Sequence, residues 1–458
     1  MTNKKKQRGT NPPNPVRAAR TPAQTTAEPP TQPPAGAPAA AGSSGGRVSR
    51  RRLLATAGGV GAVGLAVGVT AYAVSDSSHA DAATGTAATP LTALGADSVP
   101  FYGAHQGGIT QPMQARMYAA AFDLTPGTAR PGLTSLMKRW SAAAAAMAEG
   151  RTPPGVQDTD VALDAGPSSL TVTFGFGASV FAKAGLGAQL PGQLAPLPVF
   201  ASDALVPANS DGDLWVQVCA DDGLVAFHAM RTLQQLAAGA AAVRWQMSGF
   251  SRSPGATPQP RTGRNLMGQI DGTNNPKPTD ADFDSEIFVP AKGSPAWMAG
   301  GSYVVFRRIR MLLDSWEQQS LTIQERVIGR HKASGAPLSG GTETTAVQLD
   351  KLNPDGSLAI PGDAHIRVAA AQSNQGAAML RRGYSYSDGF RPGGAPDAGL
   401  LFVAFQSDPL TGFVPVQRKL TRGDALSQFI VHESSGLFAV PGGAASADGY
   451  VGQPLLES

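Results

Sequence analysis

Apolar and polar residues alternate with a period of two in several short runs of the chain, and stretches of helical spacing separate the runs. From Met113 the sequence alternates into AAFDL and then turns Ala-rich around Leu136 to Ala148, which predicts a strand and a helix. Ser169 to Phe181, SLTVTFGFGASVF, alternates β-branched and aromatic residues and predicts a second strand. A third, Leu214 to Ala220, leads into a helix from Asp222, with Asp221 and Asp222 placed to cap its unpaired N–H groups. VRWQMSGF at Val243 to Phe250 follows, and strand, helix, strand in this order is what one half of a ferredoxin-like α+β fold shows.

Ser251 to Arg264 has few large apolar residues and reads as a crossover. Beyond it, Gly301 to Trp316 passes from strand to helix, Leu400 to Pro409 is a buried strand by its apolar run, and Asp424 to Gly443 closes with a helix and a strand. The expectation is an α+β protein of two related halves, spanning 99–255 and 256–450. No short-period repeat interrupts this pattern.

Composition changes the picture mainly at the N-terminus. The chain of 458 residues, 42% hydrophobic and 15% charged, can bury a large core. Residues 1–46 are rich in Pro, Ala, Thr and Gly, cannot offset their ordering entropy by burial, and are expected to be disordered. The net charge of +4 comes largely from the first fifty or so residues, where Lys4, Lys5, Lys6, Arg50, Arg51 and Arg52 lie, so it implies no nucleic-acid partner. SRRRLL at Ser49 to Leu54 precedes an uncharged, Gly-containing run to Val74, and Ala80-Asp81-Ala82 follows. This pattern, over 47–82, resembles a twin-arginine export signal, with the export machinery as partner and 83–98 as a linker. The alternative is a membrane anchor, for which the run is long enough. A single cysteine, Cys219, excludes an intrachain disulfide and Cys-rich metal sites, and its place in a strand pattern suits inert core.

Two segments carry candidate chemistry. GQIDGTNNP, Gly268 to Pro276, sets Asp271 between Gly268 and Gly272 in a turn that can bring its carboxylate close to a ligand. In HIRVAAAQSNQGAAMLRRGYSY, His365 precedes Arg381 and Arg382, so one imidazole and one guanidinium can face a shared cavity. Along an extended segment the two arginines point to opposite sides.

Together these segments resemble the dye-decolourising peroxidases of the secreted, A-type branch, haem enzymes with a GxxDG motif and a later His. VPFYGAHQGGITQP at Val99 to Pro112 resembles their mature N-terminus, and LTIQERVIGRHKASGAPL from Leu321 matches a further family segment. The resemblance implies two ferredoxin-like halves of the dimeric α/β-barrel type and one haem b per chain, in the C-terminal half, with His365 as iron ligand. It implies that Asp271 shuttles a proton and stays basic in acid, that Arg381 stabilises developing negative charge, and that Gly268 and Gly272 allow close approach. Arg330 is a candidate partner for a haem propionate. His105 and His228 read as structural.

Two departures stand out. The His365 to Arg381 interval looks about two residues shorter than in relatives, and Gln428 stands where an acid often does. If that acid partners the ligand His, a neutral Gln428 implies a raised iron potential. Trp316, Tyr384 and Tyr386 are candidate electron relays. The implied activity is reduction of hydrogen peroxide with oxidation of dyes, phenols or other aromatic donors. The alternatives are deferrochelatase-type release of iron from haem and a haem-binding protein without turnover. The implied location is extracellular, periplasmic or at the cell envelope, and a homo-oligomer is neither implied nor excluded.

Overall fold

The computed structural model describes residues 95–257, 261–292 and 295–458. The tail, the signal at 47–82 and most of the linker lie outside these residues. The first half comprises β1 (Arg116–Leu124), α1 (Arg130–Ala148), β2 (Thr171–Gly177), α2 (Ala178–Lys183), β3 (Leu214–Ala220), α3 (Gly223–Ala237) and β4 (Ala241–Phe250). In the second half α4 (Phe283–Ile287), β5 (Ser302–Met311), α5 (Leu313–Glu317), α6 (Leu321–Ile328) and α7 (His365–Val368) come first. They are followed by β6 (Leu380–Arg381), β7 (Tyr384–Phe390), β8 (Pro396–Gln406), α8 (Phe413–Gly423), β9 (Ile430–Val440) and α9 (Gln453–Leu456).

The strands form one antiparallel sheet in the order β5-β9-β2-β3-β1-β4-β7-β8, and β5 also pairs with β8, so the sheet closes into a barrel. β6 and β7 lie end to end along β8, Arg381 opposite Ala404 and Tyr384 opposite Leu401. Pairing between named strands joins the halves at two short seams, Phe176 and Gly177 against Ala439 and Phe438, and Phe250 against Ser385. This is the two-part ferredoxin-like α+β architecture that the alternation predicted.

Period-two alternation sorts the core. In β3, Trp215 and Cys219 point into the barrel with Trp245, Phe306 and Phe405, while Val216 and Val218 point outward beneath α1 and α3. Asp222 caps α3, accepting from the amides of Leu224 (2.8 Å) and Val225 (3.0 Å), an arrangement worth about 1 kcal/mol. Asp221 does not share that task. Its carboxylate accepts from Ala115 N, tying β3 to the approach of β1.

Several elements depart from their expected bounds, β8 running Pro396–Gln406 where the apolar run is Leu400–Pro409 and α1 starting at Arg130 ahead of Leu136. β2 stops at Gly177, and Phe181 falls in α2 instead of continuing the strand; Gly177 itself lies so close to the carbonyl of Gly212 that a side chain there would collide with it. The segment after Asp424 is a short 3-10 turn, Ala425–Phe429, rather than a helix. No described helix is long and apolar enough to cross a membrane.

Candidate active site

On the outer face of the second half, Ile309, Met311, Leu400, Phe402 and Ile430 form an apolar floor on β5, β8 and β9. α7, α8 and the loop around Asn265 to Lys277 wall a cavity of about 610 Å³ above it. The lining residues all fall between 265 and 432, in the C-terminal half, and His365, Asp271, Arg381, Gly272 and Arg330 are among them.

His365 opens α7. Helix α6 ends at Gly329, whose left-handed φ of +91° turns the chain, and Ile366 of α7 packs against that glycine. The Nδ1 of His365 donates to Oδ2 of Asp424 at 2.7 Å, and the Asp424 side chain is only 1% exposed. Its other oxygen accepts from Leu426 N at 2.9 Å, so both carboxylate oxygens are engaged. Burial opposes a charge on the imidazole, yet the Asp424 carboxylate outweighs it and His365 titrates above its ordinary range. With Nδ1 committed, Nε2 is the free nitrogen and has no hydrogen-bond partner among the described residues. Gln428 is exposed and does not partner His365. The partner expected at that position is Asp424, four residues earlier, because the 3-10 turn carries Gln428 outward.

Asp271 sits between Gly268 (φ +78°) and Gly272 (φ +111°). Its backbone is pinned by Asp271 N donating to Gly263 O at 3.0 Å. Oδ1 accepts from Arg381 Nη1 at 3.0 Å, and Oδ2 accepts from Asn265 Nδ2 at 3.4 Å. The two arginines point to opposite sides as alternation requires. Arg382 donates into the barrel end, to Gln111 O and to Gln114 Oε1, the latter at 2.7 Å.

The remaining candidates divide. Gly272 lines the cavity, but Gly268 does not: a Cβ there would meet Lys332 Cε at 2.7 Å, so the glycine serves close packing of the loop. Arg330 is buried in the wall, and its Nη1 donates to the carbonyls of Gly335 (2.7 Å) and Glu343 (2.9 Å). His105 lies outside the cavity, its Nδ1 2.7 Å from Gly300 O and its ring stacked on Phe288. His228 is on α3. Trp316 lies behind the cavity wall and donates to Met267 O at 3.0 Å, whereas Tyr384 and Tyr386 point into the barrel.

Residues 106–251 match the family model "Dyp-type peroxidase, N-terminal" and residues 262–445 match "Dyp-type peroxidase, C-terminal". A dye-decolorizing peroxidase of Thermobifida fusca is 42% identical over 89% of this chain and 97% of its own. A deferrochelatase of Yersinia pestis is 37% identical over 78% of this chain and 85% of its own. The crystal structure of a DyP-type peroxidase from Streptomyces coelicolor shares 62% identity at a TM-score of 0.79, covering 81% of this chain and all of that one. Matched in both halves and across nearly all the described residues, the chain belongs to the Dyp-type peroxidase family, whose members are haem-dependent oxidoreductases.

Proposed function

We propose that the cavity holds one haem b with His365 as the iron ligand, Asp271 as the proton shuttle and Arg381 as the charge stabiliser of an exported peroxidase. The observation that carries this assignment is the imidazole itself. Its Nδ1 is fixed by a buried carboxylate, which sets the tautomer and leaves an unpartnered Nε2 on the wall of an apolar cavity. The residues present fit the group: one nitrogen ligand, an apolar floor for the macrocycle, and Arg330 and Arg381 as cations for its carboxylates or reactants. When bound, haem supplies the iron at which hydrogen peroxide is reduced.

The chain's own residues manage the proton and the charge. Oδ1 of Asp271 is tied to Arg381, so Oδ2, which has only the long contact from Asn265, is the atom that takes a proton from peroxide and returns it to the departing oxygen. The Arg381 guanidinium offsets the negative charge that builds on that oxygen. Arg330 keeps its remaining N–H groups for a propionate, the other edge being held by backbone carbonyls.

The Asp271–Arg381 pair supports turnover over simple haem binding, because storage needs neither a proton shuttle nor a charge stabiliser. The likeness to deferrochelatases supports iron release as the second reading, and metal-free protoporphyrin among the products after incubation with haem would establish it. The twin-arginine pattern supports export and an extracellular, periplasmic or envelope location. The deciding experiment compares His365→Ala, Asp271→Asn and Arg381→Leu. His365→Ala should lose most of its haem. The other two should keep it, and at least one should slow the first spectral change after mixing with peroxide by about a hundredfold or more. Wild-type rates in both would overturn the assignment.

A further inference from the structure

Arg381 is held by more than its ion pair. The side-chain amide of Asn275 grips both backbone groups of this one residue: Nδ2 donates to Arg381 O at 2.7 Å, and Arg381 N donates to Oδ1 at 3.3 Å. On its other edge the strand pairs with β8, where Arg382 N donates to Val403 O at 2.8 Å. Asn275 thus does for β6 what a neighbouring strand would do, at a place where the sheet provides none. It also closes the turn that begins at Gly272, its own N–H donating to Gly272 O at 3.0 Å. The loop that carries Asp271 and the two-residue strand that carries Arg381 are therefore joined twice, through the carboxylate–guanidinium contact and through this amide.

We infer that Asn275 is a positioning residue, which fixes the backbone of Arg381 so that its guanidinium faces the open side of the cavity at a set distance from Asp271. The ion pair alone leaves the guanidinium free to follow the carboxylate, because β6 is too short to resist. With the amide in place, the strand is anchored from both edges and only the side chain can move. This inference rests on the role of Arg381 argued above.

The test uses the haem-loaded protein and fluoride, an anion that binds ferric haem on its open side and accepts hydrogen bonds from nearby donors. Arg381→Leu should weaken fluoride binding, read from the absorption spectrum, and Asn275→Ala should weaken it by about tenfold, the scale of one charge-assisted hydrogen bond. Haem content should stay at the wild-type level in both. In the double variant, Asn275→Ala should add little to Arg381→Leu, because it acts through that residue. Should Asn275→Ala lower haem content, Asn275→Leu decides the matter. It keeps the size and adds no charge, but can neither donate to the Arg381 carbonyl nor accept from its N–H, so it should weaken fluoride binding likewise. An effect of Arg381→Leu without one from Asn275→Ala or Asn275→Leu would overturn this inference alone, as would full additivity in the double variant. No effect of Arg381→Leu would instead overturn the distal role of Arg381, and this inference with it.

Discussion

Replacing Asp424 by Asn keeps the volume and removes one acceptor. The carboxylate accepts two hydrogen bonds, from His365 Nδ1 and from Leu426 N, and its environment is dry. An amide offers one oxygen and one NH₂ group, so whichever way it turns, one of these donors faces another donor. The loss is one charge-assisted bond, about 1.5–3 kcal/mol, with a cap of about 1 kcal/mol also at risk. With His365 as the iron ligand proposed above, the imidazole would also lose the negative partner that favours the ferric state. If the whole of that bond discriminates between oxidation states, the ferric/ferrous midpoint rises by about 65–130 mV for a one-electron couple, an upper bound. Spectroelectrochemical titration of Asp424→Asn and wild type, both loaded with haem, measures this directly. A midpoint that stays put or falls would refute the reasoning, and a matching rise in Gln428→Ala would refute the identity of the partner.

Acid sensitivity should trace to His432, which burial, helped by the nearby Arg307 cation, holds down at about 3. Its folded value lies below its unfolded one, so the unfolded chain takes up a proton that the native state refuses, and stability is lost as pH falls from about 6.5 toward 3. At pH 4.5 the loss amounts to about 2–3 kcal/mol; His432→Gln should shrink the drop in urea midpoint between pH 7 and 4.5, and an equal drop in both proteins would rule His432 out. Tyr386→Phe should leave dye oxidation unchanged, because the Arg308 guanidinium lies 4.1 Å from the ring centroid and the phenol has no hydrogen-bond partner to take its proton among the described residues. A severalfold loss of turnover would restore it as a relay. Gly329→Ala should cost about 2–4 kcal/mol, from a left-handed φ and a Cβ 2.7 Å from Ile366 Cγ1, and should lower haem content because Ile366 adjoins His365. An unchanged thermal midpoint would count against it.

What could be read from the sequence was what is local. The Leu214 to Ala220 run has the bounds of β3, because alternation is a property of neighbours, and the opposite facing of Arg381 and Arg382 follows from the same geometry. The apolar pattern of β2 runs on through Val180 and Phe181 because helix and strand share it over a few residues, and the end of the strand at Gly177 has no local mark. The pairing of β6 and β7 along β8 and the role of Asp424 beside His365 are not local. An Asp just after a helix and before ALSQF signals a cap, which it is, but its bond to His365 crosses 59 residues and leaves no mark on spacing. The same holds for Asn275, which the GQIDGTNNP segment displays openly and only the fold explains.

The back-to-back placement of Arg381 and Arg382 limits how the chain can change in length. Adding or removing one residue between these arginines and β7 would exchange their sides, sending a charge meant for the cavity into the barrel wall and withdrawing the anchor on Gln111 and Gln114. The segment between α7 and β6 has no such parity, since lengthening a loop costs only slowly growing closure entropy. Length variation should therefore accumulate before Leu380 and be absent from the short step between Arg381 and Tyr384.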